Sequence, residues 1–139
     1  MAAEQIDWAA LDAAARAAQA HAYAPYSQFR VGAALLSLDG RIITGCNVEN
    51  AAYPSTMCAE ANAVGTATME GARDIIACAV IGDTTDTVTA PCGNCRQVLN
   101  ELNPNMAIHM MGKNGHEIFT TLGEGLLPYG FGGSVLPHH

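Results

Sequence analysis

The sequence predicts an α/β domain: a three-layer α/β/α sandwich around a central mixed sheet of about five strands. Three observations carry this. Helical segments alternate with short apolar runs in the order αββαβαββ. The run "DIIACAVIG", residues 74–82, is apolar without alternation, as expected of a strand buried on both faces. Asp39-Gly40 separates two apolar runs, the signature of a tight hairpin.

Each element follows from its own signals. Residues 7–22, "DWAALDAAARAAQAHA", are Ala-rich, with Trp8, Leu11 and Ala15 at helical spacing and Asp7 placed to cap the N-terminus. Pro25 breaks that helix. "RVGAALLSLDGRIITGC" is the hairpin, and "NVENAAYPST" a polar loop. Residues 57–70 form a second helix, ended near Gly71. After the strand at 74–82 comes the loop "DTTDTVTAP", then a helix over 93–102, stopped by Asn103-Pro104. "MAIHMMG" and "HEIFTTL" are two more strands, joined at Lys113-Asn114-Gly115, and "LGEGLLP" is a final turn. The two central crossovers place their strands parallel. With 139 residues and no repeat, low-complexity tract or linker, a single domain over 1–139 is expected.

Composition narrows the function. Half the residues are hydrophobic and 14% are charged, with a formal net charge of −7 and only six basic residues. No Lys/Arg patch exists to neutralise phosphates, so no nucleic-acid partner is expected. No apolar run approaches 18 residues, so no membrane partner is expected either. The N-terminus lacks a basic segment followed by an apolar one, which argues against a secretory signal and for a cytoplasmic location. Five cysteines in such a chain suit buried, catalytic or metal-bound thiols better than a disulfide framework. Cys46 and Cys78 lie in apolar segments and read as core residues.

The other three cysteines carry the chemistry. Cys58 opens the helix in "TMCAEANAV", and Cys92 and Cys95 sit in "APCGNCRQVL", also at a helix start. Residues at i and i+3 share a helix face, so the latter two sulfurs point the same way. Helix N-termini favour thiolate, the zinc-binding form. Three sulfurs leave a tetrahedral zinc one open position, the pattern of a catalytic centre rather than a structural one. None of the five histidines supplies a fourth ligand: His21 reads as helical, His109 and His116 as strand residues, and His138 and His139 as terminal. Glu60, two residues after Cys58, is either a carboxylate favoured by the helix dipole or a general acid/base reaching the metal from the first turn. The spacing alone leaves both open; the downstream Pro-Cys-x-x-Cys favours the second. A structural zinc module or a dithiol redox protein would leave Glu60 unexplained.

The pair "CAE…PCGNC" fits the zinc deaminase signature with cysteine as first ligand. Together with "PYSQFRVGAAL", "GCNVENAAYP" and "LLPYGFG", it resembles the small homotetrameric cytidine deaminases, in order and spacing, from about Tyr23 to Phe131. The resemblance implies hydrolytic deamination of cytidine or 2′-deoxycytidine in pyrimidine salvage. It implies one Zn²⁺ per chain on Cys58, Cys92 and Cys95, with Glu60 as proton shuttle. The Ala59 backbone would contact the base. Asn47 and Glu49 would contact the ribose 3′-hydroxyl, Phe29 would pack on the ring, and Tyr53 and Phe131 would reach a neighbouring subunit's pocket. One departure stands out. The family usually has arginine after C-A-E, where this chain has Ala61 and then Asn62. Three thiolates overcompensate a dication, so Arg96 or the helix dipoles would have to offset the excess charge. Blasticidin S deaminases are also similar around "CAE" and "PCGNCRQVL" and also lack that arginine, but do not share the full "NVENAAY" block. The alternative is therefore a blasticidin S-like enzyme, or a relaxed deaminase of modified cytidines using space left by Ala61 and Asn62.

Overall fold

A computed structural model describes residues 5–136. His138 and His139 lie outside the described residues. The elements follow the expected order: α1 Trp8–Gln19, β1 Val31–Ser37, β2 Ile42–Cys46, α2 Ala59–Met69, β3 Ile75–Gly82, α3 Gly93–Leu102, β4 Ala107–Met111 and β5 Glu117–Thr121. They form one five-stranded sheet in the order β2-β1-β3-β4-β5. β3 and β4 pair in parallel, and the other three pairings are antiparallel. β2 and β3 therefore run in the same direction, with β1 between them. The inner strands β1, β3 and β4 are buried nearly throughout, while the edge strands β2 and β5 are largely exposed. That explains why only the inner strands read as unbroken apolar runs.

Helices cover both faces. On one, Leu11 and Ala15 of α1 pack against Ala34, Leu36, Ala77, Ala79 and Ile81. On the other, Ala63 and Ala67 of α2 and Leu99 of α3 pack against Leu35, Cys78, Val80 and Ile108. The alternation of each strand thus feeds two cores.

Caps fix the helix ends. Asp7 Oδ1 accepts the N–H of Ala10 at 3.1 Å. Gly71 follows α2 with φ +74°, the left-handed conformation that glycine adopts without strain. α1 is also locked by His109 of β4. Its Nδ1 lies 2.8 Å from Asp12 and its Nε2 3.2 Å from Glu117, and its ring stacks on Phe119 at 3.8 Å. His109 is thus a buried packing residue, as expected. His21 falls in the turn after α1 and His116 just before β5, each displaced from its expected element. Cys78 is fully buried, whereas Cys46, at the end of β2, is only half-buried.

The polar loop 47–56 is more ordered than its composition suggests. Val48 bridges both Tyr23 and Met57, and Tyr53–Ser55 forms a 3₁₀ turn. These contacts link segments distant in sequence, which local patterning does not report.

β2 and α2 approach closely at Gly45. A Cβ there would lie 2.4 Å from the Ala59 carbonyl oxygen and 2.5 Å from the Ala63 nitrogen. Both are backbone atoms and cannot swing away. Gly45→Ala is expected to destabilise the fold by about 1–3 kcal/mol, as overpacking does. A lowered thermal midpoint checks this, and because α2 carries Cys58 and Glu60, zinc content should fall with it.

Candidate active site and metal centre

The C-terminal ends of β2 and β3 and the N-terminus of antiparallel β1 meet on one edge of the sheet, since Val31 pairs with Gly82 and Gly32 with Cys46. α2 and α3 begin above this edge, the usual ligand position in an open α/β sheet. Cys58 is the N-cap of α2 and Cys92 the N-cap of α3, both with extended backbone, and neither side chain caps its own helix. Cys95 lies one turn into α3, fully buried. Their sulfurs are therefore free to face each other across the two helix tips.

The three Sγ atoms lie within 4.8 Å of one another, and Cys58 and Cys92 are 3.9 Å apart. A tetrahedral zinc with Zn–S near 2.3 Å separates its sulfurs by about 3.8 Å, so the donors fit such an ion. Among the described residues this is the only group of three or more candidate ligands so placed. As thiols alone they share protons unevenly. A hydrogen bond from Cys95 draws the Cys58 thiol down to about 6, and the donor Cys95 is pushed up in turn. That favours the thiolate form at Cys58, the form that binds zinc.

Glu60 is 3% exposed and walls a cavity of about 220 Å³ together with Cys58, Cys92, Phe29, Asn47 and Thr89. Burial outweighs its own backbone N–H and, with a smaller push from the charge on Cys58, raises its carboxyl to about 7. A carboxyl in that range both gives and takes protons near neutral pH. Ala59, the first residue of α2, also walls the cavity, where helix N–H groups lack intrahelical partners. A second cavity of about 380 Å³, lined by Glu49, Ser27 and Tyr53, shares Thr56 with the first.

The other expected site residues divide. Asn47 is buried and turns its amide to the backbone: Oδ1 accepts from Val31 N and Nδ2 donates to the Phe29 carbonyl, both at 2.9 Å. It thereby fixes Phe29 at the cavity wall. Tyr53 and Phe131 are 72% and 58% exposed, and Phe131 does not wall either cavity of its own chain. Arg96 does not turn toward the thiols. Its Nε donates to the Pro91 carbonyl at 2.8 Å and its Nη1 to the Leu126 carbonyl at 3.0 Å. It ties the loop before Cys92 to the π-helical turn Leu122–Leu126. Asn62 likewise faces away, donating to the Cys46 carbonyl at 2.8 Å. The walls of the cavity include neither Ala61 nor Asn62, so the space expected from them does not open there. Ser27, Thr56 and Thr89 were missed by sequence reading; small hydroxyl residues in loops carry no local signal of a site.

Residues 5–111 match the model of the cytidine and deoxycytidylate deaminase zinc-binding region. The chain belongs to this deaminase family. It is 45% identical to a cytidine deaminase of Sporosarcina psychrophila over 127 residues, 91% of this chain and 92% of that one. It is 49% identical to a cytidine deaminase of Mycobacterium tuberculosis over 96 residues, 69% of this chain and 71% of that one. The crystal structure of a cytidine deaminase from Burkholderia pseudomallei superposes with a TM-score of 0.86 at 45% identity, covering 91% of this chain and all 100% of that one. The chain is thus a deaminase-fold enzyme of a zinc-binding family, and the Cys58, Cys92 and Cys95 cluster is the group among the described residues that fits the metal.

The contacts of Arg96 make a distinct prediction. Losing two charge-assisted hydrogen bonds to backbone carbonyls costs about 1.5–3 kcal/mol. Arg96→Ala should lower stability by that order in chemical denaturation while zinc content stays near that of the unaltered protein. A variant that lost metal without losing stability would contradict the structural role.

Proposed function

We propose that this protein is a zinc-dependent hydrolase converting cytidine and 2′-deoxycytidine, with water, to uridine or 2′-deoxyuridine and ammonia. The observation that carries the reading is one cavity walled by buried Glu60 and by Cys58 and Cys92, whose sulfurs cluster with that of Cys95. We assign those three sulfurs as ligands of one zinc per chain. When bound, zinc would supply a Lewis-acid position that makes water nucleophilic at neutral pH.

The chain's own residues do the rest. Glu60 takes a proton from the attacking water and delivers it to N3 of the ring. It then carries the second proton to the amino nitrogen, which leaves C4 as ammonia. A carboxyl held near 7 suits both transfers. The free N–H groups at the start of α2, beside Ala59, suit the ring carbonyl. Phe29 offers the base an apolar wall. Asn47 and Glu49 suit a sugar hydroxyl: Asn47 retains one N–H and one lone pair beyond its backbone bonds, and Glu49 is held below the usual carboxylate range, first by Ser27. That ionised carboxylate would repel a phosphate, as would the net charge of −7. Free nucleosides are favoured over nucleotides and nucleic acid.

Exposed Tyr53, Tyr129, Phe131, Val135 and Leu136 support a homotetramer in which aromatics of one chain complete the pocket of another. No helix among the described residues is long and apolar enough to cross a membrane. A role in pyrimidine salvage in the cytoplasm is consistent with a small nucleoside substrate.

Cytidine deamination is followed by the change in ultraviolet absorbance. Glu60→Gln should lower kcat by a factor on the order of 10² to 10⁴ or more, with zinc retained at one per chain by elemental analysis. Full activity in that variant, or none in the unaltered zinc-loaded protein, would overturn the assignment.

A further inference from the structure

Three of the acceptor positions on Glu49 are taken by the loop before β1. Oε1 accepts the backbone N–H groups of Tyr26 and Ser27 at 3.0 and 3.1 Å. Oε2 accepts the Ser27 hydroxyl. An ionised carboxylate offers about four lone-pair sites, so one remains, on Oε2. Glu49 and Ser27 both line the cavity that shares Thr56 with the metal-side cavity.

Ser27 is bound on its other side too. Its Oγ accepts the N–H of Phe29 at 2.9 Å. Gln28, between them, is left-handed at φ 59°, uncommon for a non-glycine residue, and its N–H rests on the Ala24 carbonyl at 2.9 Å. That reversal brings the Phe29 N–H back to the serine. One hydroxyl thus joins the Glu49 carboxylate to the backbone of Phe29, a wall of the metal-side cavity.

We propose that Ser27 is a positioning residue that leaves Glu49 one directed acceptor site, so that the enzyme reads a single sugar hydroxyl rather than a vicinal pair. This rests on the nucleoside reading above. By donating to Oε2, Ser27 fixes the rotation of the carboxylate and fills the site a second hydroxyl would use. By accepting from Phe29, it sets the sugar-side acceptor and the base-side wall in one frame. Removing the sugar hydroxyl that bonds Glu49 is then fully felt, while removing its neighbour is not. A phosphate ester there has no proton to donate at neutral pH and meets a fixed negative charge.

The test measures kcat and KM of the zinc-loaded protein on cytidine, 2′-deoxycytidine and 3′-deoxycytidine. The unaltered enzyme should lose about tenfold or more in kcat/KM on loss of one hydroxyl and little on loss of the other. Ser27→Ala should shrink that discrimination several-fold through a raised KM for cytidine, with kcat nearly kept. It should change KM little for the analogue lacking the bonded hydroxyl. Ser27→Thr, which keeps the hydroxyl, should restore discrimination. If Ser27→Ala does not fold, Ser27→Cys, similar in size with a weak donor, takes its place. Equal losses on all three substrates, or unchanged discrimination in the alanine or cysteine variant, would overturn the role of Ser27 and leave the deaminase reading standing. An unaltered protein that turns over none of the three would remove both.

Discussion

The structure depends on how much negative charge can be gathered at two helix tips. Three thiols and a buried carboxyl converge where α2 and α3 begin. As isolated anions so close together they would repel one another. A hydrogen bond between Cys58 and Cys95 shifts the two thiols in opposite directions, Cys58 down and Cys95 up. With the zinc proposed for this cluster, three thiolates and a dication sum to −1. Each helix N-terminus contributes roughly half a positive charge, so the two tips offset about one unit. Arg96, pinned to the Pro91 and Leu126 carbonyls, makes no hydrogen bond to the thiols. Backbone dipoles at the two helix tips are thus of the right size and sign to offset the excess charge of the proposed site.

Such compensation works only if both helices are held in place, and the contacts around them serve that end. Gly45 lets α2 lie against β2, and the Asn62 side chain fastens the same helix to the Cys46 carbonyl. Arg96 fixes the entry to α3 from the opposite side. Asn103, just after α3, donates to the Ile75 carbonyl at 2.9 Å and so ties the far end of that helix to the start of β3. Each bond joins a helix to a strand or to a loop that follows one. The dipoles are aimed by backbone packing, not by the thiols themselves.

That division explains what was legible in the sequence. The eight elements followed from period, caps and turn residues, because α1, α2, α3 and the inner strands bury faces whose spacing is local. The cysteines and Glu60 were legible because the chemistry needs those residue types at helix starts. Arg96 was read as a candidate for the thiols from its place beside Cys95, yet the bond it makes is to Leu126, 30 residues away. Asn62 lies one residue from Ala61 in the sequence, yet its side chain binds the Cys46 carbonyl of β2 and leaves no space at the cavity. Asn47 walls the cavity, as its resemblance implies, but also binds the backbone of Val31 and Phe29, which no local pattern reports. His109 between Asp12 and Glu117 joins three elements that no sequence window contains together. Polar side chains that join elements are the part of a fold that periodicity does not encode.

Two carboxyl groups frame the paired cavities, and their environments push them apart. Glu60 is buried beside a thiol charge and is raised to about 7. Glu49 faces solvent, and the Ser27 hydroxyl followed by backbone N–H groups lowers it. Hydrolytic loss of an amino group needs one group that exchanges protons near neutral pH. A carboxylate held low, as Glu49 is, stays a hydroxyl acceptor whatever the proton count on Glu60. Were Glu49 as buried as Glu60, it would compete for the transferred proton. Were Glu60 as well supplied with donors as Glu49, it would stay ionised and could return nothing to the leaving nitrogen. Different surroundings thus shift two like residues in opposite directions, which suits the proton transfers proposed for Glu60 and the hydroxyl contact proposed for Glu49.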